Sequence, residues 1–106
     1  MSMDMNQMMK QVQQMQAEME RLQAEAAAEV VEASAGGGMV TVKANGAREI
    51  VSVAIKPEAI DAGDPEMLED LVVAATNEAL RAVDRMLQEK LGGLMGGLGD
   101  LHLPGL

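Results

Sequence analysis

Charged side chains dominate the chemistry open to this chain. It has eight Lys and Arg against seventeen Asp and Glu, with one His and no Cys. Without Cys there is no thiolate nucleophile, no disulfide and no thiolate metal site. His102 stands near Asp100 in a Gly/Leu stretch, far short of a zinc set. The acids Glu58, Asp61, Asp64, Glu66, Glu69 and Asp70 miss the spacing of a calcium loop and read as helix capping and a solvated face. Gly36-Gly37-Gly38 joins strand to strand and lacks the Lys-Ser/Thr pair of a phosphate loop. No Ser lies in a nucleophile elbow. These residues point to no enzyme, no metal and no cofactor.

The cations remain. Lys43 and Arg48 flank Asn45-Gly46, while Lys10, Arg21, Arg81, Arg85 and Lys90 lie on helical segments. Ammonium and guanidinium groups can meet phosphates or carboxylates, and for any single residue a surface ion pair is the plainer expectation. The formal net charge of -9 is unevenly spread. Residues 58–80 hold seven acids and no base, residues 38–57 are net positive, and residues 1–17 are neutral, with Asp4 balancing Lys10. Taken alone, this balance argues against a nucleic-acid partner and confines any such contact to local basic sites. With no Phe, Tyr or Trp, base stacking on side-chain rings is ruled out.

Three kinds of element must position these groups. From Asp4 to Ala28 the apolar residues Met5, Met8, Val12, Met15, Met19, Leu22 and Ala26 recur at alternating spacings of three and four. That is a heptad pattern on a helix roughly 37 Å long. Strands follow: Val30 to Ala35, Met39 to Ala44 and Ile50 to Ile55, with the triple glycine as the first turn. Asn45-Gly46 predicts a type I′ hairpin as the second. Pro57 ends the sheet, and Glu58 to Asp61 fits one short turn. Asp64 as N-cap and Pro65 at the first helical position start a second long helix, expected to reach about Lys90. Gly92-Gly93 is expected to stop it, leaving 92–106 as a flexible Gly-rich tail behind a single domain at 1–91. The order is α-β-β-β-α, an α+β fold with a three-stranded antiparallel sheet.

The methionine stripe is the strongest feature of this pattern. Eleven Met and no aromatic residues leave a small core, and a second copy is the economical partner. We read Met5, Met8, Val12, Met15, Met19 and Leu22 as a homodimer seam. Ordinary intrachain core and an adaptable surface for varied helices are the alternatives. No apolar run approaches the roughly 20 residues that span a bilayer, and the first residues lack the basic start and apolar run of a signal peptide. A soluble, intracellular protein without a small-molecule substrate is expected.

Four stretches carry a resemblance. They are Met8-Met9-Lys10-Gln11-Val12-Gln13-Gln14-Met15-Gln16; Ala35-Gly36-Gly37-Gly38-Met39-Val40 with Val42-Lys43-Ala44-Asn45-Gly46; Met67-Leu68-Glu69-Asp70-Leu71-Val72-Val73-Ala74-Ala75-Thr76-Asn77-Glu78-Ala79; and Gly96-Gly97-Leu98-Gly99 with Leu103-Pro104-Gly105. Together, over nearly the whole chain, they resemble the bacterial YbaB/EbfC nucleoid-associated proteins. The family usually has Phe where Thr76 stands and more Lys on its first helix. The resemblance implies a tweezer-like homodimer with long helices projecting from a joined β body. It implies binding of double-stranded DNA with little sequence preference, bending or compaction, and roles in nucleoid organisation, gene regulation and DNA protection in the bacterial cytoplasm. On that basis Lys10, Arg21, Arg81, Arg85 and Lys90, then Lys43 and Arg48, are the expected phosphate contacts. The competing expectation is an acidic protein-interaction module for which DNA is incidental.

Overall fold

The computed structural model describes residues 4–99, with the backbone alone for 94–99. Helix α1 (Met5–Ala28) runs through Glu29 straight into β1 (Val30–Ala35). Strands β2 (Val40–Asn45) and β3 (Ile50–Ile55), the short α2 (Pro57–Asp61) and the long α3 (Pro65–Gly99) follow. The three strands form one antiparallel sheet in the order β1-β2-β3. This is the expected α+β architecture, and the short turn expected at Glu58 to Asp61 is the helix Pro57–Asp61.

Alternation along the strands decides which face is buried. Val31, Ala33 and Ala35 of β1 line up with Val40, Val42 and Ala44 of β2 and point toward α3. Ala75, Ala79 and Val83 of α3 complete the buried cluster. Two alanines on the helix let its backbone approach the sheet closely, so a core without any ring still packs. The opposite face of the sheet is polar, with Glu32, Ser34, Thr41, Lys43 and Ser52 in register across it. Helix α3 packs over β1 and β2. Strand β3 stands beyond it: Val53 lies opposite the fully buried Val42, yet remains 45% exposed.

Two local expectations are corrected. The β2–β3 connection is not a two-residue type I′ turn. The positive φ belongs to Arg48 (61°), and the amide of Arg48 donates to the carbonyl of Asn45 at 2.9 Å. The Asn45 side chain organises the loop by accepting from the amides of Ala47 (3.0 Å) and Glu49 (3.2 Å). Gly46 is needed for a different reason. Its amide donates to the carbonyl of Glu29 at 3.1 Å, and a Cβ there would sit 1.8 Å from the carbonyl oxygen of Ala26. The hairpin is clamped against the end of α1, and only a residue without a side chain fits.

The second correction is at Gly92-Gly93, which do not stop α3; the helix continues to Gly99. A glycine ends a helix when it takes the left-handed conformation, and neither of these does. Within a helix each costs about 1 kcal/mol relative to Ala, which the leucines around the pair tolerate as good helix formers. Residues 100–106, with His102, lie outside the described region. The glycines of the first turn behave as expected, with φ of 66°, 67° and 93° at Gly36, Gly37 and Gly38.

Candidate nucleic-acid interface

Helix α1 leaves the body as an arm. None of its residues is buried. The stripe from Met5 to Met19 is open along its length, from 47% exposed at Met19 to 76% at Met5. Only the root, at Leu22, Ala26 and Ala27, is half-buried. There a groove lined by Met19, Leu22, Ala26, Leu87 and Leu91 separates α1 from α3. The molecule is accordingly long and thin, 76 × 29 × 15 Å.

The arm's outer half is chemically distinct from the rest of the chain. From Met5 to Ala17 there is no carboxylate, while Asn6, Gln7, Gln11, Gln13, Gln14 and Gln16 present amides around Lys10. At 100° per residue, Lys10 falls on the side of the helix opposite the stripe. The helix starts at Asp4, whose carboxylate accepts from the Asn6 amide at 3.4 Å.

The structure sorts the seven expected phosphate contacts into two groups. Five are held by carboxylates. Arg21 bridges Glu18 and Glu25 on one face of α1, reaching Glu25 at 2.8 Å. Arg81 and Arg85 share Glu78, at 2.9 and 3.3 Å. Arg48 pairs with Asp84, and Lys90 with Glu29 at 2.7 Å. The last two pairs tie the hairpin loop and the arm's root to α3. Lys10 and Lys43 form no such bridge among the described residues. Lys56 is in the same condition. It was not among the expected contacts, since it reads in the sequence only as a strand's end before Pro57. It lies over the glycine turn, within 3.8 Å of where a Cβ on Gly38 would be.

The pairs shift the titration of their members. A hydrogen bond from Arg21, with its charge, holds the Glu18 carboxyl below the usual range, and Arg21 is raised in turn. Hydrogen bonds from Arg81 and Arg85 do the same to Glu78. Glu29 raises Lys90 in the same way. All of these pairs lie at the surface, where water and salt screen the attraction. A phosphate can therefore replace the carboxylate at little cost. Arg81 and Arg85, two cations on one acid, hold a local excess of positive charge.

Among the described residues, no group of three or more His, Asp or Glu could hold a metal ion, and no helix is long and apolar enough to cross a membrane.

The model of the YbaB/EbfC DNA-binding family matches residues 1–98. A nucleoid-associated protein of Pelotomaculum thermopropionicum is 52% identical over 103 residues, which cover 97% of this chain and 95% of that protein. One from Alkaliphilus metalliredigens is 50% identical over 103 residues, covering 97% and 88%. The crystal structure of an uncharacterized protein from Helicobacter pylori shares the fold, with a TM-score of 0.69 at 24% identity, over 89% of this chain and 99% of that one. Sequence and architecture agree along nearly the whole length: the chain belongs to the YbaB/EbfC DNA-binding family, and it is not an enzyme.

Proposed function

We propose that this protein acts as a homodimer that grips duplex DNA through its phosphates with little sequence preference. In doing so it changes the path of the DNA and serves nucleoid organisation, gene regulation and DNA protection in the bacterial cytoplasm. The observation that carries this reading is the acid-free outer half of the α1 arm. It presents Lys10 and six side-chain amides to solvent on a chain whose net charge is -9. Cations and amides on a helix position a protein on the DNA backbone without reading bases. The family match supports DNA as the partner.

The uncovered side of the body supports a dimer. Ile50, Val51 and Val53 are 42–52% exposed on β3, an edge strand with one set of backbone groups unpaired by the sheet. A second copy seated there removes both the apolar side chains and the open edge from water. It also doubles the phosphate contacts and sets two arms on one body, as tweezers.

The test is a gel shift at a series of salt concentrations on protein whose dimeric mass is established by light scattering. A steep loss of binding with salt is expected, each phosphate contact adding about -0.9 to the logarithmic slope. No shift of duplex DNA at roughly 20 mM salt, where screening is weak, overturns the reading. It would favour the acidic interaction module, for which the five carboxylate-held cations speak.

A further inference from the structure

We infer that the methionine stripe of α1 is an arm-to-arm joint: it pairs antiparallel with α1 of a second copy and links separate dimers. The inference rests on the dimer being joined by its sheet.

The spacing argues for a like partner. Alternating intervals of three and four fit the holes of a helix with the same repeat, and among the described residues nothing covers the stripe from Met5 to Met19. The positions are also self-complementary when one arm is reversed. Met5 then faces Leu22 of the second copy, Met8 faces Met19, and Val12 faces Met15, so all six layers are filled. Gln11 flanks Glu18 beside that seam, an amide against a carboxylate.

The root of the arm supplies the direction. The apolar strip does not end at Leu22; it opens into the groove bordered by Leu22, Ala26, Leu87 and Leu91. Antiparallel pairing lays the tip of the second arm, with its Met5, at that groove. It also keeps the two bodies at opposite ends. Parallel pairing leaves the groove empty and brings both bodies to the same end.

The area fits a reversible joint. Five of the six side chains are about half exposed or more and Leu22 is half-buried; together they bury at most on the order of 600 Å² per helix, roughly 1,200 Å² for the pair, at the low end for specific interfaces. Lys10 lies on the far side of the arm, so the joint leaves the DNA-facing side open. Two distinct two-fold contacts on one chain, sheet to sheet and arm to arm, extend the assembly beyond the dimer, to a closed tetramer or a longer chain according to the angle between the axes. Dimers bound to two duplexes would be bridged.

The chain has no cysteine, so introduced ones report directly. Under mild oxidation, the Met5→Cys and Leu22→Cys proteins, one carrying a mass tag, are expected to form a mixed disulfide when combined. Met5→Cys alone is expected to give at least tenfold less. Light scattering of the full chain should show species heavier than the dimer that grow with concentration. The Val12→Gln/Met15→Gln double variant, which keeps helix propensity, should reduce them at least tenfold while the dimer and its DNA shift persist. Self-linking of Met5→Cys overturns the antiparallel pairing. A dimer-only mass at every concentration overturns the joint, and so does a double variant that falls to monomer, since the stripe would then be the primary seam. Loss of DNA binding with the heavier species intact would sink the DNA reading and leave the joint standing.

Discussion

Helices α1 and α3 are both long, both amphipathic and joined to the same sheet, yet they end in opposite environments. The apolar face of α3 disappears: Ala75, Ala79 and Val83 are fully buried and Met86 is 7% exposed. The apolar face of α1 stays open, with Met15 at 68%. The residue types explain the difference. Alanines permit the close approach that a pleated sheet demands, while long unbranched methionines suit a helix partner and adapt to it. An apolar stripe left bare is thus the place to look for a partner.

The contrast breaks most visibly under charge. Val42→Asp sets an unpaired carboxylate between β2 and α3, at a cost of several kcal/mol, enough to unfold a domain of this size. Met15→Asp on the arm should leave the unfolding of the dilute protein within about 0.5 kcal/mol of the parent. Urea titration followed by circular dichroism compares the two directly. Equal losses would mean that α1 packs intrachain after all.

Next in size is the clamp between arm and body. Gly46→Ala drives a Cβ into the Ala26 carbonyl and should cost roughly 1–3 kcal/mol as the hairpin shifts off α1. Hydrogen exchange at Glu29 and Gly46 should accelerate before the sheet core does. Unchanged exchange there would show that the loop yields without strain.

Smaller effects separate the open cations from the held ones. Lys10→Gln should reduce the salt slope of DNA binding by about 1.8 for a dimer. Glu78→Gln releases Arg81 and Arg85 and should strengthen binding a few-fold at low salt. If both variants bind as the parent does, neither arm nor α3 meets phosphate.

The smallest effect is with pH. The Glu18 and Glu78 carboxyls lie below their ordinary value of 4.5 in the folded chain. Their contribution to stability is therefore complete above that value and fades as the pH falls below it. Surface exposure keeps the change slight, and Glu78→Gln should flatten its share of a thermal melt series taken from pH 6 to 3.

Much of the fold is legible locally. The heptad of α1, the glycine turn, the alternation of β2 and the Asp64-Pro65 start each depend on neighbours a few residues away, and each forms as its own residues dictate. Asn45-Gly46 and Gly92-Gly93 do not. The first was shaped by a helix end some 20 residues earlier in the chain, and the second continued as helix because its glycines never adopt the left-handed conformation. The cations were all visible as residue types, but their pairing was not. Arg48 meets Asp84 and Lys90 meets Glu29 across long stretches of chain, and Lys56 stands out only once the others are seen to be engaged.

By itself, then, the sequence determined the elements, the arm with its apolar stripe and neutral tip, and the family, because periodicity, capping and turn chemistry act over a few residues. Tertiary structure alone decided which cations stay open to a phosphate, why Gly46 admits no side chain, and that α3 covers β1 and β2 while β3 and the arm remain bare. Those outcomes depend on which distant surfaces meet, and a core built from Ala and Val has too little breadth to cover every apolar face the chain presents.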